Sequence, residues 1–128
     1  MTDIPEGLRY SYDHLWARQE PDGTVTVGIT QRAASGLGDI TYVDVPDVGR
    51  ALGAGAQAIT VDTVMGTSDF ITPLGGRVTA VNEATVSDPE SIGGDPYGAW
   101  LFRLEPEEPG ALDGLLDASG YRDLIGDQ

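Results

Sequence analysis

The apolar residues of this chain come in short alternating runs, most of them closed by glycine or proline. Thr24-Val25-Thr26-Val27-Gly28-Ile29 follows the turn signal Pro21-Asp22-Gly23. Ile40-Thr41-Tyr42-Val43-Asp44-Val45-Pro46 alternates again, with Ile40, Tyr42 and Asp44 expected on one face and Thr41, Val43 and Val45 on the other. A period of two buries one face of a strand, whereas a helix needs apolar residues three and four apart. With 18 glycines and 8 prolines in 128 residues, long helices find little room, and a fold of many short strands is predicted.

Strands are expected over residues 16–19, 24–29, 40–46, 58–64, 76–81 and 99–104. Thr30 has the chemistry of a helix cap, and a short helix through Ala33, Ala34 and Leu37 should end at Gly38. Helical spacing otherwise emerges only after Pro109, in Leu112, Leu115, Leu116, Tyr121, Leu124 and Ile125. The expected fold is mainly β, a small sandwich or flattened barrel with short helices mostly at the C-terminal end. At 13.5 kDa the chain fits a single domain over residues 1–128, with a core from about residue 8 to 104 and a helical segment from about 110 to 125. Two turn-rich stretches, residues 47–55 and 73–78, each lead into a strand and suggest rough internal symmetry.

Charge narrows the function classes. Twenty-one acidic residues against seven basic ones give a net charge of −14, so phosphate backbones and anionic membranes are repelled and a basic protein surface is the natural complement. All seven basic residues are arginines, so the chain has no lysine and no side-chain amine for Schiff-base or amide-linked chemistry. Zero cysteines exclude disulfides, thiolate metal sites and thiol catalysis. No apolar run is long enough to span a bilayer, and MTDIPEGLRY lacks the basic flank and apolar segment of a secretory signal, so a cytoplasmic location is expected. Phosphate-binding loops, metal-ligand spacings and nucleophile elbows are absent from the sequence.

One stretch asks for display. Val61-Asp62-Thr63-Val64-Met65-Gly66-Thr67-Ser68-Asp69 places a strand on either side of a predicted hairpin tip at Met65. Asp62, Ser68 and Asp69 are expected to form a polar rim around that tip. His14, the only histidine, offers a proton-transfer group near neutral pH, or else a hydrogen bond at a strand end. Glu105, Glu107 and Glu108 sit in Glu-Pro-Glu-Glu-Pro-Gly and read as a solvated loop.

The segments YSYDHLWAR, VGITQRAASGLGDITYVDVPDVG, VDTVMGTSD, TPLGGRVTAVNEA and DPYGAWLFRL, in this order and spacing, resemble the glycine cleavage system H protein family over residues 8–124. The resemblance implies a lipoyl-domain (hammerhead-like) sandwich. In that family lipoate is carried on a lysine at a hairpin tip. The arm visits a decarboxylase, an aminomethyltransferase and dihydrolipoamide dehydrogenase, and carries an aminomethyl group from the first to the second. Laid on this chain, the family's Glu-Ser-Val-Lys falls on Asp62, Thr63, Val64 and Met65, so the acceptor lysine is replaced by methionine. No lipoate cofactor is therefore expected.

Other departures accompany it. His14-Leu15-Trp16 replaces His-Glu-Trp, Gly93 stands where an asparagine precedes Asp95-Pro96-Tyr97, and Gly98-Ala99-Trp100-Leu101 is one residue short. The resemblance also places His14 near the cleft that shelters the loaded arm. The favoured expectation is a lipoate-independent, H-like accessory module that docks on a partner enzyme rather than catalysing. Its docking or cleft residues would be His14, Asp62, Thr63, Val64, Met65, Gly66, Ser68 and Asp69. The alternatives are a small-molecule binding protein or unusual enzyme using the former cleft, or an ordinary H protein with its lysine substituted.

Overall fold

The structure, a computed structural model, describes residues 4–107 and 110–125. In chain order the elements are β1 (Arg9–Tyr10), β2 (Leu15–Gln19), β3 (Val25–Ile29), α1 (Gln31–Leu37), β4 (Ile40–Asp44), β5 (Ala51–Leu52), β6 (Gln57–Thr63) and β7 (Gly66–Ile71). There follow β8 (Gly76–Val81), α2 (Glu83–Ser87), α3 (Ser91–Gly94), β9 (Phe102–Pro106), a 3-10 turn (Ala111–Gly114) and α4 (Ala118–Ile125). Among the described residues the strands form a six-stranded sheet, β1-β2-β3-β9-β8-β5, and a three-stranded sheet, β4-β6-β7. The mainly-β sandwich expected from the alternation is therefore the fold.

Alternation explains the packing. Leu15 and Ala17 of β2 and Val25, Val27 and Ile29 of β3 point between the sheets, where they meet Val43, Ile59, Val61 and Phe70 of the smaller sheet. Burying these chains is what holds the sheets together, at about 1.5–3 kcal/mol for each fully buried large apolar side chain. Trp16, on the opposite face of β2, joins Tyr10, Ala118 and Tyr121 in a second cluster beneath α4. Strand β3 is therefore covered on both faces, and all five of its residues are buried. Thr26, one of them, donates to the Glu20 carboxylate at 2.6 Å and accepts from Arg103 at 2.9 Å, so its hydroxyl is satisfied.

The structure differs from the sequence reading in three places. Strict alternation in β4 fails because the register shifts between Ile40 and Tyr42. That irregularity buries both Ile40 and Val43 and leaves Tyr42 exposed. Helices are spread along the chain instead of gathering at its C-terminal end, since α1, α2 and α3 all precede β9. The last strand begins at Phe102 and runs to Pro106, so Glu105 is a strand residue rather than part of a loop. Glu107 follows it, exposed, and Glu108 lies outside the described residues. The two turn-rich stretches pair with each other, Ala51 opposite Arg77 and Leu52 opposite Gly76. Among the described residues no helix is long and apolar enough to cross a membrane.

Candidate functional site at the β6–β7 tip

Strands β6 and β7 pair from Ile59 opposite Phe70 to Thr63 opposite Gly66, leaving Val64 and Met65 as the connection. A two-residue hairpin of the primed type needs positive φ at its central residues. Here the positive angle falls on Gly66, at 143°, so valine and methionine keep ordinary backbone angles. The Thr63 hydroxyl accepts from the Met65 amide at 3.1 Å and donates to the Gly66 carbonyl at 3.1 Å. The Val64 amide donates to the Asp39 carbonyl at 3.2 Å, tying the tip to the link between α1 and β4. The backbone is thus held while two apolar side chains stand out: Val64 is 69% exposed and Met65 83%. Beside them a shallow hollow of about 150 Å³ is lined by Gly36 and Leu37 of α1 and by Thr63, Gly66, Thr67 and Ser68.

Register sorts the expected rim. Asp62 faces outward opposite Thr67, whose hydroxyl donates to it at 3.0 Å. Asp69 pairs with Thr60, and its carboxylate accepts from Thr60 and Gln57 at 3.0 Å each. Ser68 instead lies opposite buried Val61 and lines the hollow toward α1. The single rim of Asp62, Ser68 and Asp69 is therefore corrected. Successive residues of a strand point to opposite faces, which sends Ser68 away from the two carboxylates.

His14 is elsewhere. It joins β1 to β2 with φ of 65°, the only positive angle at a non-glycine among the described residues. Its Nδ1 lies 2.8 Å from the Tyr121 hydroxyl, which lies 2.8 Å from the Thr30 hydroxyl. Tyr121 in turn stacks on Tyr10 with ring centroids 4.7 Å apart. Partial burial holds the His14 imidazole below its ordinary pKa; the Asp13 carboxylate opposes this and the Arg32 guanidinium adds to it. Burial pushes the Tyr121 phenol up, partly offset by its bond with Thr30.

The neighbouring Asp13 accepts from the Ile71 amide at 2.8 Å, at the end of β7 remote from the tip. A six-residue strand separates those ends by roughly 20 Å. The structure therefore does not bring His14 and Met65 together. The partnership of His14 with Tyr121, 107 positions away, had no local signal; Tyr121 read only as a helix face.

The other positions at which the resemblance implies a departure have definite places. Leu15 is fully buried between the sheets, a position where an ionised carboxylate would be costly. Gly93 lines a second hollow, of about 230 Å³, with Gly38, Asp39, Ile40 and Glu90. The stretch at Gly98-Ala99 closes tightly on Asp95, whose carbonyl accepts from the Gly98 amide at 3.1 Å and the Ala99 amide at 2.9 Å. A Cβ on Gly98 would lie 2.2 Å from the Asp95 carboxylate. No cluster of three or more metal-ligating side chains occurs among the described residues.

Lipoate does not fit this tip. An amide-linked lipoyl group needs a primary amine; Met65 offers a thioether, and no lysine exists anywhere in the chain to take its place.

The glycine cleavage H-protein family profile matches residues 8–128. The "Glycine cleavage system H protein 2" of Pseudomonas aeruginosa is 48% identical over 125 residues, covering 98% of this chain and 97% of that one. The H protein of Nitrosomonas europaea is 50% identical over 122 residues, 95% of each. The crystal structure of an H protein from Mycobacterium marinum superposes with a TM-score of 0.87 at 40% identity, covering 96% of this chain and 99% of that one. With the fold and nearly the full length shared, the chain belongs to the glycine cleavage H-protein family.

Proposed function

We propose that this protein is an H-protein-like docking module that engages an enzyme of the glycine-cleavage type without carrying lipoate. The observation that carries this reading is Met65, 83% exposed on a hairpin whose backbone is fixed by Thr63 and Asp39, in a chain with no lysine. A thioether on a flexible unbranched chain fills irregular apolar pockets, where a charged amine would be costly to bury. Val64 adds apolar area, while outward-facing Asp62 and Asp69 supply the charge that steers a basic partner surface. The small-molecule reading finds less support, because the His14 Nδ1 is already engaged by Tyr121.

Co-expression with a lipoate ligase and an octanoyltransferase, followed by intact-mass measurement, tests the lipoate-free half of the proposal. The unmodified chain mass is expected, and a lipoyl increment on any residue would refute it.

A further inference from the structure

We propose that Met65 is a reversible oxidation site, and that its sulfoxide releases the tip from its partner; the second half rests on the docking function above. With two methionines and no cysteine, Met1 and Met65 hold the chain's only sulfur atoms, so no thiol competes for an oxidant. Met65 is 83% exposed. Its sulfur lies toward Gly38, where a Cβ would be 4.0 Å away. The hollow beside it, about 150 Å³, exceeds the roughly 30 Å³ that a water molecule occupies in the liquid. A peroxide molecule can therefore approach the lone pairs without displacing any packed side chain.

The chemistry needs only hydrogen peroxide. The thioether sulfur attacks one peroxide oxygen, the O–O bond breaks and an S–O bond forms. The departing oxygen leaves as hydroxide and takes the proton shed by the sulfur-bound oxygen, giving sulfoxide and water. Sulfur is oxidised by two electrons and peroxide is reduced by two. The bonds that set the tip's backbone run through the Thr63 hydroxyl and the Asp39 carbonyl, none through sulfur, so the hairpin keeps its shape. What changes is the displayed group, from an apolar thioether to a polar, hydrogen-bond-accepting sulfoxide that resists burial in an apolar pocket. Methionine sulfoxide reductases, one for each epimer, reverse the step.

The test treats the intact protein with dilute hydrogen peroxide, maps the oxygen by peptide mass, and titrates the product onto immobilised aminomethyltransferase and decarboxylase of a glycine cleavage system. One oxygen atom on Met65 is expected, with affinity lowered at least about tenfold, or about 1.4 kcal/mol. Treatment with both reductases should restore the affinity, and Met65→Leu should bind equally before and after peroxide. The proposal is overturned if Met65 stays reduced under conditions that oxidise free methionine, or if the sulfoxide forms and binding is unchanged. In that second case Met65→Glu separates the two ideas. Weakened binding by Met65→Glu removes only the redox role, whereas unchanged binding removes the docking function as well.

Discussion

Single residues carry more of this fold than their size suggests. Gly28 sits on β3 directly opposite Trp16 of β2, and a Cβ there would lie 2.6 Å from the indole ring. Trp16 is fully buried and its Nε1 donates to the Pro96 carbonyl at 3.1 Å, so the ring has nowhere to retreat. Gly28→Ala is therefore expected to destabilise the protein by about 1–3 kcal/mol, the usual range for overpacking, read as a lower urea midpoint with unchanged m-value. A midpoint equal to wild type would show that the second cluster is looser than its burial implies. Met65 is the opposite case, a residue whose replacement should leave the core untouched because its side chain meets mainly solvent.

At the scale of elements, the link between α4 and the sheets runs through a titratable group. His14 joins the β1–β2 connection to Tyr121 of α4, and burial lowers its pKa below the ordinary value. The unfolded chain therefore takes up the proton first as pH falls. The stabilisation is complete above about pH 6.5, and it is lost as pH drops from there through the lowered folded pKa. His14→Asn tolerates the positive backbone angle but has no titrating group. Its urea midpoint should change less than that of wild type between pH 7 and 5, and parallel pH profiles for the two proteins would contradict the assignment.

Elements of this kind were unevenly legible in the sequence. Thr30 and Gly38 marked the ends of α1 correctly, because capping is local chemistry: Thr30 accepts from the Ala33 amide, and Gly38 takes φ of 76°. The irregularity in β4 was not legible, since it depends on which partner residue each carbonyl meets. Helix α2 is not legible because five residues are too few to display a helical period. The hairpin and Met65 at its tip are legible in sequence order alone. The separation of Ser68 from Asp62 and Asp69, and of His14 from the tip, needed the strand register and the position of α4.

Across the whole molecule, the fold is that of the H-protein structure it superposes on, while the position that the resemblance assigns to an acceptor lysine holds Met65. The two sheets carry a tip that displays a thioether, on a chain with net charge −14. On the proposed docking role, long-range attraction to a basic surface would set encounter and orientation, while the exposed Val64 and Met65 would supply the apolar contact. The most direct test is a calorimetric titration of the unmodified chain onto aminomethyltransferase and decarboxylase, alongside Met65→Glu and Met65→Leu. Saturable binding to one of the enzymes is expected. It should weaken by at least about tenfold with Met65→Glu, because a carboxylate must be desolvated, and change only modestly with Met65→Leu, which keeps volume and polarity. Absence of binding to both enzymes, or Met65→Glu binding as tightly as wild type, would contradict docking through the tip.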